Sequence, residues 1–302
     1  MPSPLSLLAL LSLCVAGVLS QTCSSNPSTT PNKTIKEVYS YDYSQTFSEP
    51  KKEGIAFQDL PGFTRSTYSP DHALITPESR VWAGQPGWKN ALTAHLISPA
   101  SGASFSMFMA HMKPDSEAAP APAETVERFI LVLEGEAQAT SPEGKTIILP
   151  TNHYAYFPPN TPARLRSATG AGLLIYERVY KAKGNPVFLH GYVEDSPLLA
   201  TPGETFQLRK LLPQTTDYDF NIHIMDFNPG EYLNVKEVHY NQHGLMLLDG
   251  KGIYRLADKW YPVQAGDAIW MAPYVVQWYA ALGTTPSRYI INKDTTVDPL
   301  FS

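Results

Sequence analysis

The chain has little cysteine and no excess of basic charge, and both shortages exclude classes of protein. Only 2 of its 302 residues are cysteine, so the fold must be held by packing rather than by disulfides. The formal net charge of -5 gives no basic surface for nucleic acid or for an anionic membrane. We therefore expect neither as a partner.

An apolar run long enough to cross a bilayer is also missing. The run at residues 5–19 is too short for that and stands where the hydrophobic region of a secretory signal belongs. We expect a signal peptide over residues 1–20, entry into the secretory pathway and no membrane association after cleavage; a retained anchor is the alternative. Cleavage would remove Cys14 and leave Cys23 alone, ahead of a glycosylation sequon at Asn32.

What the chain does have is proline and short apolar runs. It contains 27 prolines and is 43% hydrophobic and 17% charged, which favours one large or two moderate domains of short strands and turns. Residues 21–66 are rich in Ser, Thr, Pro and Lys and predict a polar arm, with globular patterning from about Tyr68. Asp249-Gly250 between two apolar runs predicts a hairpin.

A possible metal site stands near the C-terminal end. In an extended chain Glu237 and His239 project from the same face, His243 can join them, and Gln277 can add an amide oxygen from a neighbouring strand. A helical His-Glu-x-x-His site is excluded because Tyr240 follows His239. A carboxylate, two imidazoles and an amide, with no thiolate, favour Mn(II) or Fe(II) over a structural zinc.

The two halves of the chain contain an internal repeat. Residues 128–136 match residues 243–251 as an apolar strand closed by an acidic residue and glycine. The first half has no equivalent ligand set. The alignment puts Pro122 opposite Glu237, Glu124 opposite His239, Arg128 opposite His243 and Ala163 opposite Gln277. We interpret His95, His111 and His153 of the first half as structural.

These residues resemble the double-cupin family, whose members have two jelly-roll barrels of antiparallel strands in one chain. The matching pattern is Gly230, Glu237, His239, His243 and Gly250, followed by Gly266, Pro273 and Gln277. Glu237 stands where cupins usually have His, His243 where they have Glu, and Gln277 where they have the last His. This unusual set is similar to that of the (S)-ureidoglycine aminohydrolase family of plant ureide breakdown.

The resemblance implies an all-β fold of two tandem cupin barrels: residues 67–192 without metal ligands, and residues 193–302 with the metal site. It also implies a manganese-dependent enzyme of the endoplasmic reticulum that converts (S)-ureidoglycine and water to (S)-ureidoglycolate and ammonia in purine catabolism. We expect a small-molecule substrate and a homo-oligomer.

Candidate site residues follow from the chemistry and from the resemblance. Expelling an amine requires a proton donor or a metal at the nitrogen, and delivering water requires a base or a positioned polar group. The candidate catalytic residues are Glu237 and Lys293. The candidate substrate-binding residues are Glu237, Tyr254, Gln277, Tyr289 and Lys293.

Two other functions remain open from the sequence. Two histidines and one carboxylate also suit a mononuclear Fe(II) oxygenase, although Gln277 as a fourth ligand leaves few open positions. The missing ligands of the first half would suit a secreted storage or binding bicupin.

Overall fold

A computed structural model describes residues 62–201, 203–295 and 300. The expected signal peptide, Cys14, Cys23, Asn32 and nearly all of the polar arm lie outside these residues. The described part of the chain is built from nineteen β-strands and three single 3-10 turns. The strands are β1 (Thr67–Tyr68), β2 (His72–Ile75), β3 (Lys89–Ile97), β4 (Phe105–Glu117), β5 (Val126–Thr140), β6 (Thr146–Pro150), β7 (His153–Phe157), β8 (Leu165–Ser167), β9 (Ala171–Val179), β10 (Leu189–Tyr192), β11 (Leu199–Ala200), β12 (Gln207–Lys210), β13 (Phe220–Phe227), β14 (His243–Asp249), β15 (Lys251–Leu256), β16 (Lys259–Gln264), β17 (Ala268–Met271), β18 (Gln277–Leu282) and β19 (Ser287–Asp294).

The strands form two barrels of antiparallel sheet, which confirms the predicted fold class. The N-terminal sheet has the order β10-β7-β5-β8-β4-β3, with β6 paired to β5 and β9 paired to both β4 and β5. The C-terminal sheet has the order β1-β2-β17-β14-β19-β13-β12-β11, and a three-stranded sheet β16-β15-β18 covers its inner face. No helix in the described residues is long and apolar enough to cross a bilayer.

The C-terminal sheet includes two strands, β1 and β2, from the segment assigned to the N-terminal domain. Strand β2, at the start of the segment assigned to the N-terminal domain, pairs with β17 of the C-terminal sheet in a register that joins Ile75 to Ala268. Strand β10, at the end of that segment, pairs with β7 in the N-terminal sheet. The assignment of all of residues 67–192 to the first barrel is therefore wrong for β1 and β2, because a pairing between strands so distant in sequence leaves no local signal.

The apolar core has three parts, one inside each barrel and one between them. Alternate residues of β5 and β14 point to opposite sides of their sheets, as in any strand. Ile130 belongs to the interior of the N-terminal barrel and Leu245 to that of the C-terminal barrel, whereas Leu131 and Met246 meet in a third core between the sheets. Burial on both faces explains why these strands read as continuous apolar runs.

The predicted hairpin at Asp249-Gly250 is wrong. Strands β14 and β15 do not pair with each other; β14 pairs with β17 and β19, and β15 with β16 and β18. Gly250 has φ 73°, and a Cβ there would lie 2.4 Å from the carbonyl oxygen of Pro286. The glycine is needed because the chain crosses between the two sheets at this point in close contact with another segment.

Candidate metal centre

An irregular extended segment carries Glu237 to the first residue of β18. Glu237 and Gln277 form an isolated antiparallel bridge, in which the two backbone N–H groups donate to the opposite carbonyls over 2.9 and 3.0 Å. This bridge brings the Glu237 carboxylate and the Gln277 amide to one place. The Nε2 atom of Gln277 lies 3.4 Å from Oε2 of Glu237.

The two histidines approach from the same segment and from the start of β14. Nε2 of His243 lies 3.3 Å from Nε2 of His239, and the ring centroids are 4.9 Å apart. Nδ1 of His243 lies 3.0 Å from the carbonyl oxygen of Asn292, to which it can donate its proton. That hydrogen bond fixes the tautomer and leaves the Nε2 lone pair directed at His239, which is how a metal-binding imidazole is prepared.

The four predicted ligands therefore converge on one point. Two further separations within the group are 2.8 Å between Nε2 atoms of Gln277 and His239, and 3.7 Å between Nε2 of His239 and Oε2 of Glu237. Donors about 2.1 Å from a common ion at right angles would be about 3 Å apart. The residues consequently fit a divalent cation held by nitrogen and oxygen.

One unpartnered polar atom supports this fit. Oε1 of the buried Gln277 is inaccessible and has no hydrogen-bond partner. Rotating the amide of Gln277 by 180° exchanges its oxygen and nitrogen and turns the oxygen toward His239. Within the described chain no group of three or more His, Cys, Asp or Glu side chains lies close enough together to hold a metal as it stands. The close contacts at this site all involve His239 or join Glu237 to Gln277.

Lys293 lies beside the candidate ligands, on β19. It pairs with His243 across β14 and β19, and Tyr289 and Ile291 on the same face of β19 belong to the core inside the barrel. Burial, followed by the nearby His239 and Lys293, lowers the pKa of His243 well below its usual value. His243 is thus a neutral imidazole at neutral pH, the form that binds a metal.

The two predicted substrate-binding tyrosines lie deeper in the same barrel. Tyr254 and Tyr289 are each 1% exposed and both pack against Tyr279, with ring centroids 5.5 Å apart in both pairs. Burial and, as a smaller cause, the Glu237 carboxylate raise the pKa of both phenols. Both remain protonated at neutral pH and are able to donate a hydrogen bond toward Glu237.

The N-terminal barrel has a buried ion pair at the equivalent position. Arg128 pairs with Glu177 across β5 and β9, as His243 pairs with Lys293 across β14 and β19. Nε and Nη2 of Arg128 lie 2.6 and 2.5 Å from Oε1 of Glu177. Nη1 donates to the carbonyls of Ala119 and Ala163, and Nη2 donates also to that of Pro120. The guanidinium and the carboxylate thus have partners within the protein.

The three histidines interpreted as structural are dispersed over the first barrel. His95 stacks on Phe108 with centroids 4.8 Å apart, and burial lowers its pKa. His153 stands against Tyr192, and His111 lies in the middle of β4. None of the three lies among the four candidate ligands.

Two polar residues that sequence analysis did not single out lie in β13, next to Lys293. They are Asn221 and His223, in the run Phe-Asn-Ile-His-Ile at the start of that strand. The strict alternation of polar and apolar residues is the signal that could have identified them, because it gives both side chains the same face.

Comparison with known proteins supports the same region. A family model described as a cupin domain matches residues 223–291. The (S)-ureidoglycine aminohydrolase of Arabidopsis thaliana is 56% identical over 245 residues, which are 80% of this chain and 82% of that protein. A probable (S)-ureidoglycine aminohydrolase of Oryza sativa subsp. japonica is 58% identical over 80% of this chain and 79% of its own length.

A solved structure extends the match to the whole fold. The crystal structure of the protein Ylba from E. coli superposes with a TM-score of 0.70 at 28% identity, covering 81% of this chain and 99% of that chain. Both barrels are therefore shared with this structure.

Proposed function

The chain belongs to the (S)-ureidoglycine aminohydrolase family of cupin proteins, and from this premise we propose that it hydrolyses the C–N bond of (S)-ureidoglycine. Water replaces the amine on the carbon that also carries the carboxylate and the ureido group. The products are (S)-ureidoglycolate and ammonia. A place in ureide and purine catabolism follows from this substrate.

The observation that carries the proposal is the convergence of Glu237, His239, His243 and Gln277 at one point of the C-terminal barrel, with separations of 2.8 to 3.7 Å. Without such a group of candidate ligands, the similarity to aminohydrolases would have supported the fold alone.

The four donors would hold a divalent cation, and we propose Mn²⁺. Hard and borderline ligands without thiolate suit this ion, and four protein ligands leave two of six positions for substrate. When bound, the ion would supply a Lewis acid for the amine and carboxylate of the substrate.

The residues around this point perform the remaining tasks. Lys293 is paired across the sheet with Asn221 and His243, neither of which carries a carboxylate. Its ammonium is therefore suited to hold the carboxylate of the substrate. The Glu237 side chain, 38% exposed, can accept a proton from the attacking water and return it to the departing nitrogen. Tyr254 and Tyr289 border the substrate as neutral hydrogen-bond donors.

We further propose that the mature protein acts in the endoplasmic reticulum as a homo-oligomer. The support for the location is the apolar run at residues 5–19, which has the length of a secretory signal rather than of an anchor.

The test is metal analysis of the purified protein combined with ammonia release from freshly generated (S)-ureidoglycine. We expect about one manganese per chain and ammonia release that chelation abolishes and Mn²⁺ restores. A protein that carries manganese but releases no ammonia would contradict the proposal. Oxygen consumption during turnover would favour an Fe(II) oxygenase instead.

A further inference from the structure

Strand β13 presents two polar side chains to the inside of the C-terminal barrel. Phe220, Ile222 and Ile224 point the other way, into the core between the barrels. Asn221 and His223 alternate with them and therefore face the barrel interior.

Asn221 and His223 continue the row of side chains that begins at the candidate metal centre. Asn221 pairs with Lys293, and Lys293 pairs in turn with His243. Neighbouring strands are about 4.8 Å apart, so Asn221 stands about 10 Å from His243 across the sheet. A small amino acid derivative bound at the metal centre with its other end toward β13 spans most of that distance.

Both side chains have a buried polar atom without a partner. Asn221 is 2% exposed, and its Oδ1 atom has no hydrogen-bond partner. The inaccessible Nε2 atom of His223 also has no hydrogen-bond partner. Buried polar atoms in folded proteins are nearly always hydrogen-bonded, because an unmade bond destabilises the free protein. Two such atoms on one face of one strand indicate a place for a hydrogen-bonding ligand.

The N-terminal barrel has different side chains at the two equivalent positions. Its counterpart of His223 is Phe108, which pairs with Ile175 as His223 pairs with Ile291. Its counterpart of Asn221 is Ser106, beside the Arg128–Glu177 ion pair. The same fold therefore packs well with an apolar ring where the C-terminal barrel has a histidine.

The chemistry of the two side chains fits a neutral group with both donors and acceptors. Burial, then the charges of Lys210 and Lys293, lowers the pKa of His223 to about 4, so its imidazole is neutral at neutral pH. An asparagine amide and a neutral imidazole each offer hydrogen bonds of either sense. A ureido group has one carbonyl acceptor and several N–H donors, whereas a carboxylate would be held by Lys293.

We propose that Asn221 and His223 form the subsite that binds the ureido group of the substrate and thereby fix which end faces the metal. This inference rests on the function proposed above and adds two specificity-determining residues to it.

The test compares two ligands that differ only in the ureido group, (S)-ureidoglycolate and glycolate, by titration calorimetry on the manganese-loaded protein. We expect the wild type to prefer ureidoglycolate. Asn221→Leu and His223→Leu should each weaken binding of ureidoglycolate by about tenfold, the value of one lost hydrogen bond, and leave binding of glycolate unchanged. Metal content should remain that of the wild type.

The melting temperature without ligand separates this role from a structural one. Because Oδ1 of Asn221 has no partner, Asn221→Leu should melt no lower than the wild type. The matched control is Asn292→Leu, since Asn292 is also 2% exposed but its Oδ1 atom accepts a hydrogen bond from Gly244; this variant should melt lower.

The outcomes distinguish the two proposals. Wild-type protein that releases no ammonia from ureidoglycine contradicts the proposed function. Active wild-type protein whose two leucine variants keep the full preference for ureidoglycolate overturns the subsite alone, as does loss of binding for both ligands to the same extent.

Discussion

The two barrels share one strand arrangement but differ in the polar groups inside it. In the N-terminal barrel Arg128 and Glu177 neutralise each other, and three backbone carbonyls accept the remaining guanidinium protons. In the C-terminal barrel the equivalent pair is His243 and Lys293, which do not neutralise each other. Apolar packing therefore maintains the same strand arrangement in both barrels. The barrels differ in whether the buried polar side chains find partners within the protein or need a bound ligand.

The largest effect is expected from removing a candidate ligand. His239→Ala and His243→Ala should each lose both bound metal and measurable ammonia release, because no other described side chain replaces the donor. The proteins should remain folded, since apolar packing holds the barrels. Metal analysis and circular dichroism check this; metal at the wild-type level in either variant would disprove the ligand assignment.

Breaking the ion pair of the N-terminal barrel should affect stability instead of metal binding. Arg128→Met leaves the Glu177 carboxylate buried without its partner and should lower the free energy of unfolding by about 3–5 kcal/mol. The double variant Arg128→Met, Glu177→Leu should recover most of that loss. Denaturant unfolding measures both, and a loss of bound manganese in the folded single variant would contradict the expectation that only stability changes.

The third expectation concerns the other member of the pair in the C-terminal barrel. Lys293→Met keeps the apolar stem and removes the charge. Manganese content should be normal, and catalytic efficiency should fall on the order of a hundredfold, as for the loss of one charged hydrogen-bonding group. Steady-state kinetics with metal analysis decide this, and near-normal efficiency would make Lys293 a surface charge.

A smaller, pH-dependent effect is expected where the two halves meet. Glu127 is completely buried, Tyr156 donates to it over 2.6 Å, and burial followed by the nearby Asp219 raises its pKa well above the usual value. A raised carboxyl pKa stabilises the fold below the unfolded pKa of about 4.5 and loses that contribution as the pH rises. Glu127→Gln should therefore gain stability over the wild type, by about 1.4 kcal/mol per pH unit at most, as the pH increases from 5.

The control for that measurement is Glu124→Gln, three residues earlier on the exposed surface. Its melting temperature should follow that of the wild type at every pH. Parallel pH profiles for the Glu127 variant and the wild type would show that Glu127 is ionised in the folded protein.

The smallest effect is expected from the three histidines of the first barrel. Alanine substitutions at His95, His111 and His153 should leave manganese content unchanged, because none lies among the candidate ligands. A fall to half the wild-type metal would reveal a second site.

Sequence reasoning could predict the fold and name the candidate site residues. Apolar runs separated by turn residues indicated antiparallel strands, and the resemblance to cupins implied the two barrels. The spacing of Glu237 and His239 indicated that they share a face, with His243 joining them. The roles of these residues and the choice of manganese stay predictions. The hairpin at Asp249-Gly250 was wrong because Gly250 serves a contact with Pro286, which is distant in sequence.

Other features depend on contacts that no short segment records. The unpartnered atoms of Asn221 and His223 are visible only once their surroundings are known. The pairing of β2 with β17 of the C-terminal sheet likewise depends on contact between remote segments.

The pairing of β2 with β17 has a consequence for how the chain folds. Strand β2 acquires its partner β17 only after about 190 further residues have been synthesised, which takes roughly 10 to 40 s on the ribosome. Arg65, just before β1, likewise waits for Asp267, with which it makes two hydrogen bonds. A fragment beginning at residue 193 would leave one side of β17 without its neighbour, open to pairing with other chains. The C-terminal barrel is thus expected to aggregate when it is produced without β1 and β2.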